Sequence, residues 1–107
     1  MHPVERKLQK KRNDLWKKIE KIQLIIDKNK VRLNTLEQMY TEMTREIRMS
    51  QNAGNFSRVK KLDKRWIKIW ENITRTQLNI TKYTRKRDAL DQELNDVSSE
   101  IMRHYRN

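Results

Sequence analysis

The apolar residues of this chain recur at alternating steps of three and four, almost without a break from one end to the other. That spacing draws one apolar stripe along one face of a helix and fits no strand period. Counted in heptads, Arg12, Ile19, Ile26, Leu33, Tyr40 and Ile47 take position a, and Leu8, Leu15, Ile22, Asn29, Leu36 and Met43 take d. Ten of these twelve are apolar. A second set places Val59, Trp66, Ile73, Ile80, Arg87, Leu94 and Ile101 at a, and Leu62, Ile69, Thr76, Tyr83, Leu90, Val97 and His104 at d, with eleven of fourteen apolar. A two-in-seven seam sustained this far is the pattern of a coiled coil.

The two sets are out of phase. Ile47 and Val59 are twelve residues apart, which is not a multiple of seven. Between them runs Ser50-Gln51-Asn52-Ala53-Gly54-Asn55-Phe56-Ser57, which holds the only glycine of the 107 residues. Glycine is the usual residue just past a helix C-terminus, and Asn55 or Ser57 is suited to cap a following helix. Pro3 suits a first helical turn. The sequence therefore predicts a single all-α domain over residues 1–107. It is an antiparallel two-helix coiled-coil hairpin, with helices about 4–52 and 56–105, a turn near 52–56, and Phe56 packed back on the neck of the turn. One glycine and one proline cannot supply the turns of a sandwich, barrel or α/β fold.

In such a hairpin a layers meet d layers, and the numbers of facing residues add to a constant. A constant of 109 centres the turn on Gly54 and Asn55. It pairs Leu15 with Leu94, Met43 with Trp66 and Tyr40 with Ile69. It also sets Lys11 by Glu100, Lys18 by Glu93 and Glu46 by Arg65. The neighbouring register, 102, would set Lys18 against Lys86 and Glu37 against Asp63. Flanking charges select partner and orientation in coiled coils, and here they select 109. The polar seam residues fit the same picture. Arg12 and Arg87 run their stems along the seam and snorkel outward, and Asn29 fixes register or bonds Thr76 one layer away.

Charge and surface apolarity bear on function. The chain carries 26 Lys and Arg against 14 Asp and Glu, a net charge of +12, which favours acidic partners. Residues 51–90 hold eleven basic and three acidic side chains, whereas residues 91–107 hold two against four. The expected basic partner face is Arg58, Lys60, Lys61, Lys64, Arg65, Lys68, Arg85 and Lys86. The bland alternative is a solvated face that keeps a long hairpin soluble. Apolar residues also stand outside the seam: Trp16, Leu24, Ile25, Val31, Met39, Ile67, Trp70 and Leu78. They mark a protein interface, through which the hairpin pairs into a four-helix bundle or with a partner helix. The bland alternative here is thickening of the seam by rings folded over neighbouring stems.

No catalytic constellation is present, and an enzyme is not expected. His2 and His104 fall near the two ends with no evident third ligand, so no metal and no cofactor is expected. There is no glycine-rich phosphate loop, no cysteine, and no small-molecule substrate is anticipated. No run of 18 apolar residues makes a transmembrane segment. The absence of a signal-like apolar region suggests an intracellular protein, cytoplasmic rather than nuclear. Three N-x-[ST] sequons, at Asn55, Asn72 and Asn79, then carry no meaning. The leading expectation is a non-enzymatic interaction or scaffold module of a larger assembly, with a basic face for an acidic partner such as a cytoskeletal filament. The alternative is a basic hairpin that contacts nucleic-acid phosphates without reading bases.

The register is directly testable. Cysteines replacing Leu15 and Leu94 should oxidise readily to an intrachain disulfide under mild oxidant, and ready crosslinking of Leu15→Cys with Arg87→Cys instead would exclude a constant of 109.

Overall fold

A computed structural model describes residues 3–106. It contains two long α-helices, α1 (Pro3–Asn52) and α2 (Phe56–Arg106). They pack against each other as an all-α helical hairpin, with no strand among the described residues.

The turn is built by backbone chemistry at three residues. The last carbonyls of α1 have no partner within the helix. Asn55 N–H reaches back to the Ser50 carbonyl at 2.9 Å, and Gly54 N–H to the Gln51 carbonyl at 3.0 Å. This nested pair is the Schellman arrangement, which needs a left-handed residue at its centre. Gly54 supplies it, with φ of 70°. Asn55 then starts the next helix: its Oδ1 accepts from Arg58 N–H at 3.2 Å, and its carbonyl accepts from Val59 N–H at 3.1 Å. Asn55, not Ser57, is therefore the N-cap of α2.

Phe56 departs from the expectation. It does not pack on the neck of the turn but is 72% exposed. The cap makes it the first residue of α2, one position beyond the d phase, and the neck is closed instead by buried Ser50 and half-buried Val59.

The seam behaves as the heptads require. All twelve seam positions of α1 are buried or half-buried, as are thirteen of the fourteen in α2. The exception is His104, which is exposed. In the expected register it lies level with Glu5, where α1 has scarcely begun and offers little to pack against.

The contacts divide into two compact units, called here the turn half (Lys28–Ile80) and the open half (residues up to 27 and from 81). In the turn half Leu36, Leu62, Ile69 and Thr76 are buried. The Thr76 hydroxyl donates to the Asn72 carbonyl at 2.7 Å, so its buried donor is satisfied within its own helix. The two helices are clasped by a side-chain relay: Trp66 Nε1–H donates to Thr44 Oγ1 at 3.1 Å, and that hydroxyl donates to the Tyr40 carbonyl at 2.8 Å. The Tyr40 and Trp66 rings lie 5.2 Å apart, tilted by 32°, within the range of favourable aromatic pairs.

In the open half Leu15, Val97 and Ile101 form a buried cluster, with Leu8, Leu90 and Leu94 against it. Ile26 is fully buried. Arg87 runs along the seam and donates from Nη1 to Gln23 Oε1 at 2.9 Å, while Nη2 meets Asp88 at 3.3 Å. Gln23 in turn donates to Asp27 at 2.9 Å. Arg12 likewise lies along the seam; its guanidinium sits 5.6 Å from the Trp16 ring centroid, and its Nε is buried without a hydrogen-bond partner. The pairs Trp66–Thr44 and Arg87–Gln23 each have residue numbers totalling 110, one step from the expected constant and far from 102.

Among the described residues no ion pair joins Lys11 to Glu100 or Lys18 to Glu93, and the third expected flanking pair takes another partner. Glu46 meets Arg58 at 3.9 Å rather than Arg65. Both side chains are more than half exposed, and surface pairs of this kind contribute only about 0–1 kcal/mol. Side-chain entropy is then enough to select the partner, and charge periodicity alone does not.

Two stability measurements follow. A Cβ added at Gly54 would meet nothing within 4 Å, so Gly54→Ala should cost only the left-handed backbone penalty, about 1–2 kcal/mol. Gly54→Asn should cost less, and Asn55→Ala about 1 kcal/mol through the lost cap; urea unfolding reads all three. Thr44→Val removes the acceptor of Trp66 N–H and should cost about 0.5–1.5 kcal/mol, and a double-mutant cycle with Trp66→Phe should show the two losses to be coupled.

Candidate interaction site

A helix in a two-helix hairpin has one neighbour. Its a and d residues face that neighbour, while b, c and f face away. All eight off-seam apolar residues expected at the interface are exposed in the folded chain. Trp16, Leu24 and Ile25 belong to the open half. Val31, Met39, Ile67, Trp70 and Leu78 belong to the turn half. Exposure ranges from 37% at Ile25 to 69% at Val31, with both Trp16 and Trp70 at 53%. None is folded away beneath neighbouring stems.

In the turn half these residues are ordered. Ile67, Trp70, Thr74 and Leu78 follow i, i+3, i+7, i+11 and form one stripe on the outer side of α2. Val31, Thr35 and Met39 follow i, i+4, i+8 on α1. The threonine of each stripe turns its hydroxyl onto its own helix: Thr74 Oγ1 donates to the Trp70 carbonyl at 3.1 Å, and Thr35 Oγ1 to the Val31 carbonyl at 3.2 Å. With the hydroxyl engaged by the preceding turn, each stripe is less polar than its sequence suggests.

Sequence reasoning passed over four exposed apolar side chains, Val4, Met49, Met102 and Tyr105, and misplaced a fifth, Phe56. They lie at the helix ends and beside the turn, where no heptad neighbour marks them. Tyr105 receives a hydrogen bond from the Gln9 amide at 3.5 Å.

The basic residues fall into two groups. Arg58, Lys60, Lys61, Lys64, Arg65 and Lys68 are all exposed in the turn half, and Arg75, not singled out from the sequence, extends the row. The turn half holds twelve basic and five acidic residues. α2 has no acidic residue in its first turn, and α1 has no basic residue in its last. The side chains at the turn therefore leave both helix macrodipoles uncompensated, and the positive end of α2 opens into the basic row.

Arg85 and Lys86 belong to the open half and are also exposed. The ammonium groups of Lys82 and Lys86 lie 5.8 and 5.4 Å from the Tyr83 ring centroid, within cation–π range. A surface groove in the same half is lined by Lys7, Lys10, Lys11 and Lys18, with Asp14, Leu15 and Glu93. Lys18 and Glu93 thus border one groove from opposite helices, as the register requires. The two carboxylates moderate its charge.

Among the described residues, no cluster of three or more His, Cys, Asp or Glu is placed to hold a metal ion; His2 lies outside them. No helix among them is long and apolar enough to cross a membrane. Comparison with protein-family models, curated proteins and solved structures finds no match.

Proposed function

We propose that the chain is a non-enzymatic interaction module: a coiled-coil hairpin that joins a larger assembly through its off-seam apolar residues and presents a basic face to an acidic surface, such as that of a cytoskeletal filament. One observation carries this reading. The hairpin uses its seam residues for itself, yet Trp16, Leu24, Ile25, Val31, Met39, Ile67, Trp70 and Leu78 stay exposed outside it. Exposed Trp and branched aliphatic residues are costly to leave wet and are frequent anchors at protein interfaces.

A second reading is supported by the basic row. Arg58, Lys61, Lys64, Arg65, Lys68 and Arg75 are exposed, and Asp63 and Glu71 are the only acidic residues between Phe56 and Ile80. Such a row suits nucleic-acid phosphates, whose contact is sequence-independent and weakens steeply with salt. It leaves Ile67, Leu78 and Val31 without a role, which is why the protein interface comes first.

Two variants separate the readings. Replacing Lys61, Lys64, Arg65 and Lys68 with Gln should abolish binding to RNA, DNA or an acidic filament while leaving helicity by circular dichroism unchanged. Replacing Ile67 and Trp70 with Gln should disturb assembly, read by sedimentation, and leave phosphate binding largely intact. A wild-type chain that stays monomeric at high concentration, with no partner recovered from cells, would count against the module reading.

A further inference from the structure

Resting on the module reading, we infer that the outer stripe of α2 in the turn half receives an acidic amphipathic helix from a different protein, rather than a second copy of this chain.

The shape of the stripe sets the form of the partner. Ile67, Trp70, Thr74 and Leu78 keep the 3.6-residue period over three turns. The stripe is about one side chain wide and straight along the helix, the footprint an apolar helix face leaves when laid alongside. Glu71 stands beside it. A bilayer would have to take that carboxylate with the stripe, whereas a protein partner can offset it with a single cation. Interfacial helices also present a broader apolar face than this one.

The borders of the stripe set the chemistry of the partner. Going round α2 within the turn half, one border is Lys64, Lys68 and Arg75, with Glu71 among them and Lys61 behind; the other is Asp63 and Gln77. An incoming helix seated on Trp70 and Ile67 therefore meets a border of net positive charge on one side, where Lys64, Lys68 and Arg75 outnumber Glu71, and Asp63 with Gln77 on the other. Carboxylates along one edge of the partner satisfy that asymmetry. A second copy would not: it brings the same row, and the turn half already carries twelve basic residues against five acidic ones. Like charges brought together at an interface are a strong device against association.

The test uses the full chain and a synthetic helical peptide of about 20 residues, carrying leucines at i, i+3, i+7 and i+11 and glutamates along one border. Two control peptides replace the glutamates with lysines, or the leucines with serines. The acidic leucine peptide should bind, with affinity falling as salt rises, and both controls should bind at least about tenfold more weakly. Lys64→Glu with Lys68→Glu should lose about tenfold or more, and Trp70→Gln about thirtyfold, as for an interface anchor. All three substituted positions are exposed, so circular dichroism should be unchanged. The inference is overturned if the lysine peptide binds as tightly, or if no peptide binds. It is also overturned if vesicles of phosphatidylserine or an RNA duplex engage Ile67 and Trp70 while the acidic peptide does not. Sedimentation as a homodimer that Trp70→Gln dissociates would overturn this partner and leave the module reading standing; a monomer that binds none of the probes would remove both.

Discussion

Two helices that meet along one seam can each bury one stripe, and every other feature of this molecule follows from that limit. The a and d residues of α1 and α2 are withdrawn from water almost without exception. Among the described residues nothing else covers b, e, f or g positions, because there is no third helix and the turn occupies only Ala53, Gly54 and Asn55. Apolar residues at those positions are therefore left to solvent by architecture, not by loose packing. In a bundle of four helices the same residues would be ordinary core. That is the physical sense in which this hairpin is incomplete.

The charges divide in the same way. Within the open half, Arg87 is drawn into a bonded row with Gln23 and Asp88, and the groove of Lys7, Lys10, Lys11 and Lys18 is shared with Asp14 and Glu93. The open half holds fourteen basic and nine acidic residues, the turn half twelve and five. Glu46 reaches Arg58, but Lys60, Lys61, Lys64, Arg65, Lys68 and Arg75 stand exposed on an α2 whose first turn carries no carboxylate. Favourable capping would place acids there. Local helix stability is thus set aside where an anionic partner would restore it, a conflict that points more often to a binding surface than to an accident of composition.

How much of this was legible beforehand depends on which level of structure is asked about. The heptads leave the register open by whole steps of seven, and the flanking charges were needed to choose it. Helix bounds and turn came from periodicity and one glycine, because Ile47 and Val59 are out of phase across Gly54. The eight wet apolar residues were legible for the same reason. What periodicity does not carry is the choice made by the end of a side chain. Phe56 was expected on the neck of the turn and instead lies outside it, since Asn55 takes the cap and fixes Phe56 as the first helical residue. Glu46 chose Arg58 over Arg65 because exposed pairs are nearly degenerate in energy. The Trp66–Thr44–Tyr40 relay was not foreseen, although a half-buried indole N–H calls for an acceptor and Thr44 is the polar residue beside the seam at the right level. The stripe on α2 needed the structure in another way: only the hydrogen bond of Thr74 to the Trp70 carbonyl shows its hydroxyl turned aside.

Stability and association are linked in such a chain. A hairpin with one seam buries little apolar area per ordered residue, and the entropy of ordering each residue, about 1.5 kcal/mol, consumes most of what burial supplies. A partner that binds only the folded form raises its apparent stability in proportion to the logarithm of its concentration over Kd. For a second copy, that gain is opposed in the turn half by like charge over the very stripe that would be buried. For an acidic helix the apolar and electrostatic terms have the same sign, and the cation row beside Ile67 and Trp70 also speeds encounter. On the proposed reading, the apolar residues that make the isolated hairpin costly to keep in water would become stabilising only in company, and the charge beside them would determine which company.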